Sequence, residues 1–356
     1  MLIIRTPKIT SLFCAVGNIA SKNLITTVVI LVVGNILFAQ DKGFETDFRG
    51  FMDVNFAVND SASFRLGKFD LYNTSRVSDR ISFLSEVISE VEEDGKIKVH
   101  IARIIATYEY DNYLKFSMGR VHTAIGMWTS LYLHSTVLQP TADRPLLFKF
   151  EDEGGILPTH SNGASVSGDF IGKYKFGYQV MVANGIGSTD FADNNKGKSF
   201  NASFSLNPIK PLKLGVAMFT DKITAGTPTM HDLPLAADMR QSFVTGSVDF
   251  TKGKFRFITE YVYLINDMDS IDVQHTQGFY AYAGYSIGKI TPYARYDWLE
   301  PSNTDPYFEL ADIRQFLGGL RYDFNYKTNL KLEYTHTDIE GNTGANIVRV
   351  QWGIAF

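Results

Sequence analysis

Residues 347–356, IVRVQWGIAF, alternate in polarity with a period of two. Val348, Val350, Trp352, Ile354 and Phe356 fall on one side, and Arg349, Gln351, Gly353 and Ala355 on the other. Successive side chains of an extended chain point to opposite faces, so this stretch is a β-strand with one apolar and one polar surface. The alternation does not say which face meets solvent. A water-soluble sandwich buries its apolar face, whereas a barrel in lipid turns that face outward.

Working back from the end, the pattern returns in Leu330, Leu332 and Tyr334 against Lys331, Glu333 and Thr335. It returns again in Leu212, Leu214, Val216 and Met218 against Lys213 and Gly215, and in Ile290, Ala294, Tyr296 and Trp298 against Thr291, Arg295 and Asp297. About sixteen such segments run from residues 44–58 to residues 345–356, each as long as the roughly 9 to 11 residues of a tilted transmembrane strand. From the fifth strand on, long connections (123–161, 185–196, 221–240, 266–274, 300–312) alternate with tight ones such as GKY, NPIKP, TKGK, Gly288 and NYKT. Short turns on one rim and longer loops on the other are the asymmetry of an outer-membrane barrel, and a sandwich has no reason for it. The expected fold is all-β: a single antiparallel transmembrane barrel over residues 41–356. Closure removes the exposed strand edges, and in lipid every backbone group must be paired within the sheet. Two phase breaks, at Ala102-Arg103 and Gly119-Arg120, would turn an arginine toward lipid, and β-bulges are expected there.

Ending in strand phase on Phe356, the chain resembles the outer-membrane porin family, whose last strand typically finishes with an aromatic residue read by the barrel-assembly machinery. The stretch GRVHTAIGMW (119–128) is similar to the GRxxTPxG stretch of phosphate-selective-porin-like proteins of Bacteroidota, with Ala124 where that pattern has proline. The resemblance implies a barrel in the outer membrane of a Gram-negative bacterium, with lipid around it and a homotrimer as the common assembly. It also implies a third loop folded into the lumen.

Residues 1–40 read as a cleaved signal peptide. Lys22 precedes the apolar run NLITTVVILVVGNILFAQ, which ends before the polar DKGFETD, and cleavage is expected before Asp41. An uncleaved anchor is the alternative, since the run is near the minimum span of about 17 residues. The one cysteine, Cys14, lies in this leader, so the mature chain has neither disulfide nor thiolate cluster. The leader carries Arg5, Lys8 and Lys22 and no acid. Taking those three from 34 basic residues leaves 31 against 38 acids, a net charge of −7 that disfavours nucleic acid as a partner. The 18 tyrosines, 27 phenylalanines and 29 glycines suit strands and turns rather than helices.

The longest connection, 123–161, is the third outer loop, and a loop of such length in a compact domain is usually functional. It is expected to build a pore constriction from Arg144 and Lys149 facing Glu151, Asp152 and Glu153, with Arg120 at its base; a surface lid with a solvated charge cluster is the alternative. Inward positions expected to line a water-filled lumen are Arg49, Asp53, Arg80, Glu86, Lys115, Asp249, Arg256, Glu260, Arg295, Asp297, Arg321, Asp323, Lys331, Glu333 and Arg349. Their mixed signs suit a transverse field across a pore and do not fix an ion preference. Tyr113, Tyr296, Trp298, Tyr322 and Trp352 are expected in the interfacial girdles.

No enzyme motif survives inspection. His160-Ser161-Asn162-Gly163 resembles the His-x-Ser-Asn-Gly stretch of outer-membrane phospholipases but is one residue short, and adjacent strand residues cannot form the dyad. His134-Ser135-Thr136 would need a threonine nucleophile and has no orienting acid beside it. The seven histidines show no HExxH or other paired ligand spacing, so no metal and no cofactor is expected. The expected function is passive diffusion of small hydrophilic solutes or ions; a structural or adhesive barrel and an outer-membrane lipid hydrolase are the alternatives.

Overall fold

The computed structural model describes residues 45–356 except 60, 92–94, 151–153, 190, 191, 270 and 309. The expected leader, residues 1–40, lies outside the described residues. Among the described residues, sixteen strands follow one another along the chain. They are β1 (Glu45–Val58), β2 (Ala62–Arg76), β3 (Ile81–Val91), β4 (Ile97–Asp111), β5 (Leu114–His122), β6 (His160–Ile171), β7 (Phe176–Ala183) and β8 (Ser199–Ile209), then β9 (Leu212–Ile223), β10 (Met239–Lys252), β11 (Phe255–Met268), β12 (Gln274–Tyr285), β13 (Ile290–Glu300), β14 (Ile313–Asn325), β15 (Thr328–Ile339) and β16 (Ala345–Ala355). Each pairs antiparallel with its neighbours in sequence, and β16 pairs with β1 to close the barrel.

Burial decides which solvent the wall faces. In β15, Lys331 and Glu333 are 0% exposed, while Leu332 and Tyr334, which alternate with them, are 47% and 46% exposed. That is the reverse of a soluble sandwich and the arrangement a lipid-facing wall requires. Tyr113, Tyr296, Tyr322 and Trp352 stand exposed on the outer surface, and Trp298 packs there with its ring tilted against Phe279, centroids 5.7 Å apart. Turns on one rim shrink to two residues, as at Lys210-Pro211 and Gly253-Lys254, where Gly253 takes φ +61° that a side chain would resist. The opposite rim carries the long connections.

The β3–β4 register shifts at Glu86/Val87 against Arg103/Ile101, leaving Ala102 as the extra residue. This bulge brings Arg103 to the inward face, where its Nε donates to Glu86 Oε2 at 2.5 Å. The second expected bulge is absent. β5 pairs with both β4 and β6 without a shift through Gly119-Arg120. Gly119 instead takes φ +140°, so the irregularity lies in one glycine's backbone rather than in an inserted residue.

The apolar core is inside the barrel. The third loop, 123–159, folds into the lumen as a short helix α1 (Met127–Tyr132), an irregular stretch and a single 3-10 turn (Leu146–Phe148). Ile125, Trp128, Leu147 and Phe148 of the loop pack with Phe219, Phe243, Ile258, Tyr280, Leu299 and Leu317 of the wall. Inward apolar residues on these strands therefore mark where the loop docks.

Candidate functional site

The loop is held mainly by strands β11–β16. Glu260 on β11 accepts the backbone N–H groups of Met127 (2.6 Å) and Trp128 (2.8 Å) and the hydroxyl of Tyr280 (2.7 Å). It supplies from the wall the acceptor that the N-terminus of α1 lacks, since Gly126 before it has no side chain to cap with. Arg295 on β13 donates to Asp297 (2.8 Å), to Thr141 Oγ1 (2.7 Å), and to the carbonyls of Asp143 (2.6 Å) and Arg144 (2.8 Å). A guanidinium has five N–H donors in a fixed fork, so it can gather several loop carbonyls at once. Lys331 directs its ammonium to the carbonyls of Thr136 (2.6 Å) and Thr141 (3.1 Å) and to Gln351 Oε1 (3.0 Å). Glu333 accepts from Ala142 N (2.9 Å), Asp143 N (3.0 Å) and Tyr293 Oη (2.9 Å). Arg321 and Asn329 donate to the carbonyls of Gln139 and Val137, and Arg349 pairs with Asp143 at 3.1 Å.

These contacts give the loop a polar backbone match that the lumen would otherwise leave to water. Arg295, Asp297, Glu260, Lys331 and Glu333 are all at most 1% exposed. Burial alone would raise the carboxyl of Asp143, but Arg349, with Lys149 and Arg295, overrides it and brings its pKa down to about 2.

The other expected wall residues are distributed as follows. Arg256 lies on β11, bonds Asp249 (2.6 Å) and reaches the Tyr132 hydroxyl, and Arg321 also pairs with Asp323 (2.7 Å). Asp53 accepts from Asn55 at 2.6 Å, and Lys115 pairs with Glu109 at 3.4 Å. Arg49 stands opposite Tyr72, which stands opposite Glu86, on the inward face near the start of β1, and is exposed there. Arg80 is not on the wall. β3 begins one residue later, at Ile81, and Arg80 sits exposed in the preceding turn, donating to the outward Tyr108. A polar turn end displaces it from the strand phase that would have aimed it inward.

Of the loop residues expected at the constriction, Arg144 is 9% exposed, donates to Leu133 O (2.6 Å) and lies 3.7 Å over the ring of Phe150. Lys149 is half-buried at the end of the 3-10 turn. Glu151, Asp152 and Glu153 lie outside the described residues. Arg120 lines a cavity of about 720 Å³ in the outer mouth, together with Ser161, Gly185, Phe219 and Gln241. At the rim below, Phe356 exchanges two backbone hydrogen bonds of 3.0 Å with Gly50 and stacks on Phe69 at 5.8 Å.

Strands β6–β10 present a different wall. A second cavity, about 300 Å³, lies beneath α1 against Ser167, Gln179, Ser203, Ser205, Gly215 and Ser247. The two cavities meet β9 in succession, the inner at Lys213, Gly215 and Ala217 and the outer at Phe219. Between them lies the loop segment 123–127. Asn201 donates to Ala124 O (3.3 Å), Thr245 donates to Ile125 O (2.6 Å), and Ile125 packs in one cluster with Phe219 and Phe243. Sequence reasoning passed over this wall because it searched for charge. A usable signal was present in Ser203, Ser205, Gly215, Thr245 and Ser247, small residues at every second position.

A family model for Gram-negative porins matches residues 39–342. The fold is shared with solved barrels. OmpT of Vibrio cholerae in its trimer form is 15% identical, with 88% of this chain and 100% of that chain covered and a TM-score of 0.62. An anion-selective porin from Comamonas acidovorans is 12% identical (88% and 100% covered, TM-score 0.65), and Salmonella typhi OmpF in complex with daunomycin is 13% identical (88% and 98%, TM-score 0.63). No curated protein sequence matches this chain.

Proposed function

Because this chain belongs to the Gram-negative porin family and is an outer-membrane channel for passive diffusion of small hydrophilic solutes or ions, we propose that its solute route runs along β6–β10, with the third loop setting the permeability. The observation that carries this reading is the pair of cavities facing the small polar wall, separated by residues 123–127. Charged wall residues on β11–β16 hold the loop and are shielded by it, whereas hydroxyls and glycines on β7–β10 stay beside open space. Arg120, on the outer cavity, contributes positive potential to the mouth.

The chain's only cysteine is Cys14, so cysteines placed singly in the barrel give a clean test. With Ser188→Cys in the outer cavity and Ser205→Cys in the inner one, a charged thiol reagent is expected to cut single-channel current. Thr335→Cys, buried on the β15 wall, is expected to leave the current alone. Equal block from the β15 site would move the route to the other side.

The channel reading also includes the absence of catalysis. In support, Ser161 Oγ bonds Thr123 Oγ1 at 2.8 Å rather than His160, whose ring nitrogens face His134 and Thr159. The finer resemblance to phosphate-selective-porin-like proteins rests on residues 119–128. A homotrimer is supported by the trimer form of the Vibrio cholerae OmpT, and the mass of the detergent-solubilised barrel tests it.

A further inference from the structure

Three histidines far apart in sequence meet where the third loop leaves and rejoins the wall. His122 ends β5, His160 begins β6 directly opposite it, and His134 comes from the loop just after α1. Each offers a ring nitrogen, and the three nitrogens lie within 4.8 Å of one another. The ring centroids are 4.9, 5.3 and 5.2 Å apart, and His134 Nε2 lies 3.1 Å from His160 Nε2. Zinc–nitrogen bonds of about 2.0–2.1 Å at tetrahedral angles place two ligand nitrogens about 3.3 Å apart, so this spacing is already that of a coordination edge.

Two further observations point to a ligand. His122 Nε2 is buried without a hydrogen-bond partner, and an unsatisfied buried ring nitrogen is costly. His160 is oriented from behind, its Nδ1 lying 3.1 Å from Thr159 Oγ1, the contact that leaves Nε2 directed at the cluster. Access is available as well, since His160 and Arg120 line the outer mouth cavity.

We propose that His122, His134 and His160 form a site for a divalent transition-metal ion of the zinc class, with a fourth position open to the outer mouth. Three imidazoles suit zinc, copper and nickel rather than calcium or magnesium, which take oxygen ligands. Among the described residues the carboxylate of Glu86 approaches the cluster, its Oε2 lying 3.8 Å from His122 Nε2 and engaged by Arg103. The surrounding charge is otherwise basic, with Arg103, Arg120, Arg144 and Lys68 near the three rings. These cations oppose both a bound dication and protonated imidazoles. A bound ion would tie the first half of the third loop to β5 and β6, on the side of the barrel away from the β11–β16 anchors. That consequence for permeation rests on the reading above; the binding itself does not.

Titrating the folded full-length barrel with cobalt(II) as spectroscopic probe, then displacing it with zinc, tests the site. One equivalent should bind with the intense visible absorption of a tetrahedral centre, and zinc should bleach it. His134→Ala and His160→Gln should each weaken binding about tenfold or more, while His231→Ala in the fifth outer loop leaves it unchanged. No saturable uptake by the wild-type barrel, an octahedral spectrum, or uptake indifferent to both variants would overturn the proposal. The wild-type spectrum decides even where a variant fails to fold. Stoichiometric binding with unaltered conductance would keep the site and remove only its link to permeation.

Discussion

The two halves of the barrel interior have opposite chemistry and opposite hydration. Along β11–β16 the inward face carries, among apolar residues, the ionic side chains of Glu260, Arg295, Asp297, Lys331 and Glu333, and these are dry. Along β6–β10 Ser, Thr, Gly and Gln predominate among the residues bordering the two cavities, with Lys213 and Phe219 beside them. Charge density in a lumen is therefore no guide to the water path. Ionic side chains are what a polar loop backbone needs to dock in a confined space, because each can satisfy two or three peptide groups. Small neutral residues leave room.

Removing an anchor is the most forceful way to break this contrast. Arg295→Ala strands Asp297 and three loop acceptors in a buried setting, a loss of about 3–5 kcal/mol by analogy with other broken buried pairs. The third loop should become sensitive to added protease, and single-channel conductance should rise and become noisy. A quiet, protease-resistant channel would mean the anchors are redundant. Next in size, Ser247→Trp should sharply reduce conductance by filling the inner cavity beside Gly215, without lowering the temperature at which the barrel loses its heat-modifiable migration. An unblocked Ser247→Trp channel would place the route elsewhere.

A smaller effect follows from Asp143. Its folded pKa of about 2 lies below the usual 3.8, so its pairing with Arg349 contributes fully above about pH 4 and is lost as pH falls through 2. The contribution is on the order of 2 kcal/mol. Loop protection from an acid protease should therefore fall between pH 4 and 2 in the wild type and be flat in Asp143→Asn. The smallest change is one of selectivity. Arg120→Ala, in the outer mouth, should move the reversal potential toward cations by more than Arg144→Ala does, because Arg144 is committed to Leu133 O and the Phe150 ring.

The barrel was legible from sequence because lipid on one side and polar surroundings on the other imprint a period-two pattern on every strand. The same logic found the bulge at Ala102, where an arginine would otherwise face lipid. It failed at Gly119, because a glycine can absorb a break through its own backbone angles, leaving no register signature. The inward direction of Arg295, Lys331 and Glu333 could be read from phase, but their burial could not. That depends on where the third loop lies, and the loop has no periodicity of its own. His122, His134 and His160 were invisible for a related reason: they meet through closure of the β5–β6 pair and the return of the loop, not through any local spacing.

The pairing of β1 with β16 has a consequence for how the molecule comes into being. Phe51 lies opposite Ala355 and Val58 opposite Val348, contacts between opposite ends of the barrel chain. Until the last strand exists, the sheet has two open edges whose amides and carbonyls have no partner in lipid. Closure is thus the final and farthest-reaching contact, and order cannot be completed segment by segment as synthesis proceeds. A barrel lacking β16 would remain a sticky, unsealed sheet, so the eleven residues Ala345–Ala355 decide whether the wall can close at all.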